Sequence, residues 1–139
     1  MTTFSSDIRI TTRREGEIVD ITNQVAEEII TSKIKDGICL IFCPGSTGAL
    51  STIEFEPGLM QDMPEAFERF SPSDIDYKHN QTWGCDNGRS HVRATILGPD
   101  ITVPVSDGKP VLGTWQQIVF LELDTRGRDR LLVVKIVGD

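Results

Sequence analysis

The segment from Gly37 to Cys43 is apolar at every position and is followed directly by Pro44-Gly45. A strand with one face in water alternates apolar and polar residues, whereas a strand in the middle of a sheet is often apolar on both faces. At seven residues the run is also shorter than a typical helix. The segment therefore predicts a central strand of a sheet that ends at Pro44.

Apolar residues recur at helical spacing in three other segments, which are residues 25–34, 59–70 and 90–97. Thr22 and Ser90 are the predicted N-caps of the first and third helices, because their hydroxyls can accept from free backbone N–H groups. Gly37 and Gly98 follow the ends of those two helices. Pro64 is expected in the first turn of the second helix, where proline is tolerated.

Turn dipeptides separate the remaining strand-like segments. Glu15-Gly16 predicts an opening β-hairpin, and Asp107-Gly108 and Arg126-Gly127 predict hairpin turns near the C-terminus. The predicted strands are residues 8–14, 17–20, 37–43, 49–55, 101–105, 114–124 and 131–137.

About seven strands with two or three helices indicate an α+β fold with a mixed or antiparallel sheet. The C-terminal half is predicted to be an antiparallel meander. A chain of 139 residues without repeats or low-complexity tracts is expected to form one domain, residues 1–139. A domain of this size buries enough core to fold without a metal or a disulfide.

The net charge limits the classes of partner. The chain has 14 Lys and Arg against 21 Asp and Glu, which gives a formal charge of −7. Such a field repels a phosphate backbone, so we expect no nucleic-acid partner. A small phosphorylated molecule stays open, because a few local arginines and backbone N–H groups can hold an anion.

The sequence also predicts the compartment. No stretch approaches the ~20 apolar residues of a membrane-spanning helix, and the N-terminus lacks the pattern of a secretory signal. Cys39, Cys43 and Cys85 are an odd number of cysteines, and the first two are placed too far apart along one strand to bridge. These features favour the reducing cytoplasm.

The two histidines, His79 and His91, lie in the polar, aperiodic region that extends from residue 71 into the third predicted helix. Tyr77 and Trp83 favour an ordered rather than a disordered segment. Imidazoles near neutral pH serve proton transfer or metal binding, and Cys85 is a candidate third ligand. The alternative is two surface histidines bonded to backbone, and the pattern alone favours that alternative because the spacing matches no standard zinc motif.

Two further segments have small or polar residues next to strands. Residues 44–48 join two strands, and Ser46 and Thr47 there suit either an anion-binding loop or a tight turn. Residues 113–117 enter a strand, where Thr114 and Gln116 suit a pocket edge while Trp115 suits either the pocket or the core.

Taken together, these residues resemble the YjbQ family, and the resemblance extends from about residue 8 to the end of the chain. The motifs that carry it are Gly45-Ser-Thr47, Ile53-Glu54, Tyr77-Lys-His79, Asn87-Gly-Arg-Ser-His-Val-Arg-Ala94, Leu97-Gly98, Val103-Pro104, Gly108, Leu112-Gly-Thr-Trp-Gln116 and Val137-Gly138.

The resemblance implies a homotrimer with a site near the subunit boundaries, and secondary thiamine-phosphate synthase activity beside an unknown main role. That reaction joins a pyrimidine-methyl diphosphate to a thiazole phosphate and releases diphosphate, which needs Mg²⁺ or cationic groups. The alternatives are a metal-assisted binding module or hydrolase for a small phosphorylated metabolite, and a polar loop that only builds the subunit contact.

The resemblance also implies roles for individual residues. His79, His91 and Arg93 are implied as catalytic residues, and the two histidines also as ligands of a metal such as Mg²⁺ or Zn²⁺. Cys85 is a candidate third ligand from the pattern of residues alone. Many relatives have a histidine where this chain has Gly45, so a three-histidine site is incomplete here. The residues implied in substrate binding are Ser46, Thr47, Asn87, Arg89, Thr114 and Gln116.

Overall fold

The computed structural model describes residues 1–139 and contains eight strands and four helices. No helix is both long enough and apolar enough to cross a membrane. In chain order the elements are β1 (Thr2–Thr11), β2 (Ile18–Asp20), α1 (Thr22–Ser32), β3 (Gly37–Phe42), β4 (Gly48–Ile53), α2 (Pro57–Phe70), α3 (Lys78–Trp83), α4 (Gly88–Leu97), β5 (Asp100–Ser106), β6 (Lys109–Pro110), β7 (Gln117–Glu122) and β8 (Asp129–Gly138).

The apolar segment Gly37–Phe42 forms β3, the central strand of a five-stranded antiparallel sheet with the order β1-β8-β3-β5-β6. In β3, Cys39 pairs with Val103 of β5 on one side and with Ile136 of β8 on the other. The prediction of a central strand is thus confirmed. Its second face is not covered within the chain, since Ile38 is 51% exposed and Phe42 is 38% exposed.

A second antiparallel sheet of three strands, with the order β2-β7-β4, lies against the inner face of the first. Its middle strand, β7, is buried on both faces. Successive side chains of a strand point to opposite sides, so alternate residues of β7 enter two different cores. Ile118 and Phe120 enter the core between the two sheets, together with the apolar face of α1. Val119 and Leu121 enter a smaller core on the other side, against Phe67 of α2 and Ala94 of α4.

This α+β architecture confirms the predicted fold class, but two predicted strand pairings were wrong. β1 does not form a hairpin with β2, because β1 pairs along all ten residues with β8 while β2 pairs with β7. The C-terminal half is not a continuous meander either, since β7 lies in the other sheet from β5 and β8. Arg126-Gly127 is consequently a crossing between sheets and not a hairpin turn.

The hairpin turn predicted at Asp107-Gly108 is confirmed between β5 and β6. Both residues have positive φ, 52° and 71°, which is the requirement of the two-residue turn that matches the twist of the strands. Local sequence decides such a turn because few residues other than asparagine, aspartate and glycine adopt this backbone conformation.

The predicted helix starts need correction. Thr22 is the first helical residue and not the cap, and its hydroxyl instead donates to Asp20 and accepts from the Ile118 N–H. The third predicted helix begins earlier than Ser90, at Gly88 with Asn87 as N-cap, and α3 lies in a segment for which the sequence predicted no helix.

Pro64 is also misplaced in the prediction. Pro57 occupies the first turn of α2, so Pro64 lies in the interior of that helix. The cap is the side chain of Glu56, which accepts from the N–H groups of Gly58 and Leu59. A carboxylate at this end also suits the helix dipole.

Candidate functional site

The two histidines come together on neighbouring helices. His79 of α3 and His91 of α4 have ring centroids 4.4 Å apart, with the rings tilted by 53°. The approach of the helices depends on Gly88, whose N–H donates to the Asn80 side chain at 2.8 Å. A Cβ on Gly88 would lie 2.4 Å from the Tyr77 Cβ, so only glycine fits there.

The surroundings of His91 disfavour its protonated form. Burial lowers its pKa below the usual value, and the neighbouring His79 lowers it further. Asp124 and the backbone of Ser46 act in the opposite direction without restoring the usual value. A neutral imidazole has one N–H donor and one free nitrogen, which suits hydrogen bonding or proton transfer near pH 7.

Asp124 is a site residue that the sequence analysis missed. It lies just after β7, is 2% exposed, and accepts from the Thr125 N–H at 2.8 Å and the Thr47 hydroxyl at 3.3 Å. The Arg128 Nε also donates to it. Burial raises its pKa, but these hydrogen bonds and the Arg128 charge outweigh burial, so the pKa lies below its usual value.

A second buried carboxylate, Glu122, anchors the loop at residues 44–48. Arg130 donates to it through Nε at 2.9 Å and through Nη2 at 2.5 Å, and the Thr12 hydroxyl donates at 2.6 Å. The same Nη2 donates to the carbonyl and the hydroxyl oxygens of Thr47. A fully paired carboxylate in a strand core thereby fixes the loop between β3 and β4.

One sequence signal for Asp124 and Glu122 was available. Glu122 and Asp124 stand at the end of the apolar run that begins at Ile118, and a charge is buried beside such a run only when it has a partner. The identity of the partner could not be read from the sequence, because Arg130 belongs to β8 in the other sheet.

The loop and His91 border adjoining clefts. One cleft of about 290 Å³ includes Gly45, Ser46 and Thr95 in its lining, and a neighbouring one of about 250 Å³ is lined by His91, Val92, Thr95 and Ile96. Of the predicted site residues, the structure therefore brings together His79, His91, Asn87, Ser46 and Thr47.

Arg89 and Arg93 have other partners. Arg93 is buried, and it donates to the Ser71 carbonyl at 2.7 Å and to Glu68 at 3.0 Å. Arg89 makes two hydrogen bonds to Glu15, at 2.7 and 3.0 Å. Because α4 is a helix, His91 and Arg93 point about 200° apart, and an incoming phosphate would have to displace these carboxylates. Their predicted catalytic and phosphate-binding roles stay predictions.

The predicted metal ligands do not assemble. No group of three or more His, Cys, Asp or Glu side chains is placed to hold a metal ion. The Cys85 Sγ lies 4.0 Å from the backbone carbonyl oxygen of His79, and residue 45 is a glycine, which offers no side-chain ligand. Two imidazoles are fewer protein ligands than Zn²⁺ sites use, and they are not the oxygen ligands that Mg²⁺ prefers. The residues of this chain therefore do not fit either metal.

Thr114 and Gln116 lie at a different cleft of about 370 Å³, at the far end of β4. Gln116 donates to the Thr52 hydroxyl at 2.9 Å, and Trp115 is 72% exposed and not part of the core. At ~3.4 Å per residue, the length of β4 separates this cleft from Ser46 by roughly 17 Å. Within one chain, the predicted site is thus divided between two places.

The family described as UPF0047 protein YjbQ-like matches residues 6–139, nearly the whole chain. The chain belongs to the YjbQ family. The resemblance read from the motifs is thereby confirmed.

Relatives within the YjbQ family share the whole domain. A UPF0047 protein of Archaeoglobus fulgidus is 41% identical over 129 residues, which cover 93% of this chain and 98% of that protein. The crystal structure of a YbjQ-like protein from Sulfolobus solfataricus has a TM-score of 0.94 at 41% identity and covers 99% of both chains. A hypothetical protein from Aeropyrum pernix has a TM-score of 0.86 at 30% identity over the full length of both chains.

Proposed function

We propose that the cleft beside His79, His91 and the loop 44–48 binds a small phosphorylated metabolite and supports thiamine-phosphate synthase activity, secondary to another main role. The imidazole pair carries this proposal, because its rings lie 4.4 Å apart and His91 is half-buried next to the backbone of Ser46. The N–H groups of two such rings can donate to the oxygens of a phosphate or diphosphate.

The reaction needs positioning more than proton transfer. The lone pair of the thiazole nitrogen forms a bond to the methylene carbon of the pyrimidine, and the carbon–oxygen bond to diphosphate breaks. Diphosphate leaves with that electron pair, while the thiazole becomes a cationic thiazolium. The contribution of the protein is to align the three reacting atoms and to stabilise the charge on the leaving oxygen, which is the part we assign to His79 and His91.

The test is a product assay on the purified chain with both thiamine precursors, with and without Mg²⁺. We expect His91→Ala and His79→Ala each to lower product formation at least ~100-fold, in line with the loss of a transition-state hydrogen bond. Gln61→Ala, at an exposed position of α2, is the matched control. Full turnover by the double histidine variant would contradict the proposal.

A second candidate is a binding module or hydrolase for a phosphorylated metabolite. The observation that favours it is the commitment of Arg89 and Arg93 to Glu15 and Glu68, which leaves neither guanidinium free for a departing diphosphate. Calorimetry that finds saturable binding of a phosphorylated precursor without product would support the binding module, and release of inorganic phosphate would support the hydrolase.

We further propose that the chain forms a homotrimer and resides in the cytoplasm. The uncovered face of the five-stranded sheet supports assembly, since Ile38 and Phe42 lie there beside Val133 and Val137 of β8. The three free thiols support a reducing compartment.

A further inference from the structure

The loop between β3 and β4 has three consecutive backbone N–H groups without an acceptor. The N–H groups of Gly45, Ser46 and Thr47 donate to no protein atom, although the Thr47 carbonyl is bonded to the Leu123 N–H at 3.0 Å. The carbonyl and hydroxyl groups of Thr47 hold the loop in place, while the three backbone N–H groups stay free. Successive free amides in a fixed loop are a feature of anion-binding sites.

The guanidinium of Arg130 adds a further free donor beside this loop. Its side chain is only 9% exposed, and Nε and Nη2 are bonded to Glu122 and Thr47. Nη1 donates to no protein atom and lies 3.4 Å from the position that a Cβ on Gly45 would occupy. Glycine at residue 45 therefore leaves open the space next to a buried, charged donor.

The local charge is balanced. Glu122 is paired with Arg130, and Asp124 is paired with Arg128, so the surroundings of the loop contain two carboxylates and two guanidinium groups. An anion would consequently be held by directed hydrogen bonds more than by a net positive field. Such a site favours a ligand with several acceptor oxygens in a fixed geometry.

We propose that the N–H groups of Gly45, Ser46 and Thr47, together with Arg130 Nη1, form a binding site for a phosphoryl group, either as inorganic phosphate or as the phosphate ester of a metabolite. The site supplies the cationic donor that Arg89 and Arg93 do not. Only the identity of the ester, the thiazole phosphate, rests on the proposed function.

Gly45→Ala is the variant that tests the site without disturbing the buried pair. Gly45 is exposed and does not have positive φ, so alanine fits its backbone. The new methyl group would lie 3.4 Å from Arg130 Nη1, where a phosphate oxygen has to approach, while Arg130 keeps its bonds to Glu122. Gly113→Ala is the matched control, since its Cβ would only make ordinary contact with Gln116 in the distant cleft.

The experiment is a titration of the ¹⁵N-labelled full chain with inorganic phosphate at constant ionic strength, followed by amide NMR. We expect saturable shifts at residues 45–47 and at the Arg130 side chain, with the dissociation constant raised about tenfold in Gly45→Ala and unchanged in Gly113→Ala. Absence of saturable shifts at the loop, or wild-type affinity in Gly45→Ala, would overturn the site.

Competition then distinguishes the two sources of the phosphoryl group. Displacement of inorganic phosphate by thiazole phosphate, but not by the dephosphorylated thiazole alcohol, supports the ester as ligand. If neither compound displaces inorganic phosphate, the ester is not the ligand, and inorganic phosphate itself is the ligand of the site. This experiment measures binding and not product formation, so the two proposals can fail separately. Phosphate binding without turnover would contradict only the synthase activity. Turnover without phosphate binding would contradict only this phosphate site.

Discussion

Glu122 and Arg130 form a buried ion pair that joins the two sheets, with Arg130 Nη2 2.5 Å from the Oε2 of a carboxylate that has no exposed surface. Glu122 belongs to β7 of the three-stranded sheet and Arg130 to β8 of the five-stranded sheet. The pair also anchors Thr47, so one contact links the packing of the sheets to the position of the candidate site.

Removal of one partner of this pair is expected to destabilise the fold strongly. Glu122→Gln leaves the Arg130 charge buried without compensation, and we expect a loss of about 3 kcal/mol or more in the free energy of unfolding. Glu65→Gln, which removes an exposed pair with Arg69, is the control and should cost less than about 1 kcal/mol. Urea unfolding at one protein concentration measures both, and equal losses would contradict the role of the buried pair.

The contact between α3 and α4 should be sensitive to a single methyl group. Gly88→Ala would place a Cβ 2.4 Å from Tyr77, so either the helices separate or the Tyr77 ring shifts. We expect a loss of about 1–3 kcal/mol, together with a changed contact between His79 and His91. Thermal unfolding and imidazole NMR report the two effects, and Gly113→Ala should show neither.

Stability should fall in mild acid because of His91. Its folded-state pKa is below the ordinary value of 6.5, so the unfolded chain binds a proton more readily than the folded chain. The contribution of neutral His91 to the free energy of unfolding is therefore fully present above pH 6.5. It is lost as the pH falls from there through the folded-state pKa of His91.

The check is an NMR titration of the imidazoles, combined with urea unfolding at neutral and mildly acidic pH. The groups that act on the His91 charge are His79 and Asp124, and the His91→Gln variant should lose this part of the pH dependence. A measured His91 pKa above 6.5 would show that Asp124 outweighs burial and would reverse the sign.

The uncovered sheet face should control assembly. Ile38→Asp places a carboxylate in the middle of the apolar face of β3, where burial against another copy would leave it unpaired. We expect the particle mass in solution to fall from that of three chains to the 15.4 kDa of one. Ile30→Asp, the same substitution at an exposed position of α1, is the control for the effect of the added charge alone.

Multi-angle light scattering on a sizing column gives these masses. A wild-type chain that elutes as a monomer would contradict the homotrimer directly. A trimer unaffected by Ile38→Asp would place the contact elsewhere.

The limits of the sequence prediction are visible in the strands. Apolar runs correctly located β3, β5 and β8, and Asp107-Gly108 correctly predicted its turn, since both depend on residues close together in the chain. The pairing of β1 with β8 joins the two ends of the chain and depends on which apolar faces fill the core. The opening hairpin was wrong because a plausible turn does not compete with ten residues of strand pairing.

The candidate site divides in the same way. The sequence by itself determined the family, the helix that carries His91 and the small-residue loop at 45–48, because residue types and local spacing carry those signals. Only the tertiary structure decided that His79 meets His91, that Arg89 and Arg93 are held by carboxylates, and that Arg130 reaches the loop. Those contacts join residues from different elements, and the packing of two sheets and two helices fixes them, which no local pattern encodes.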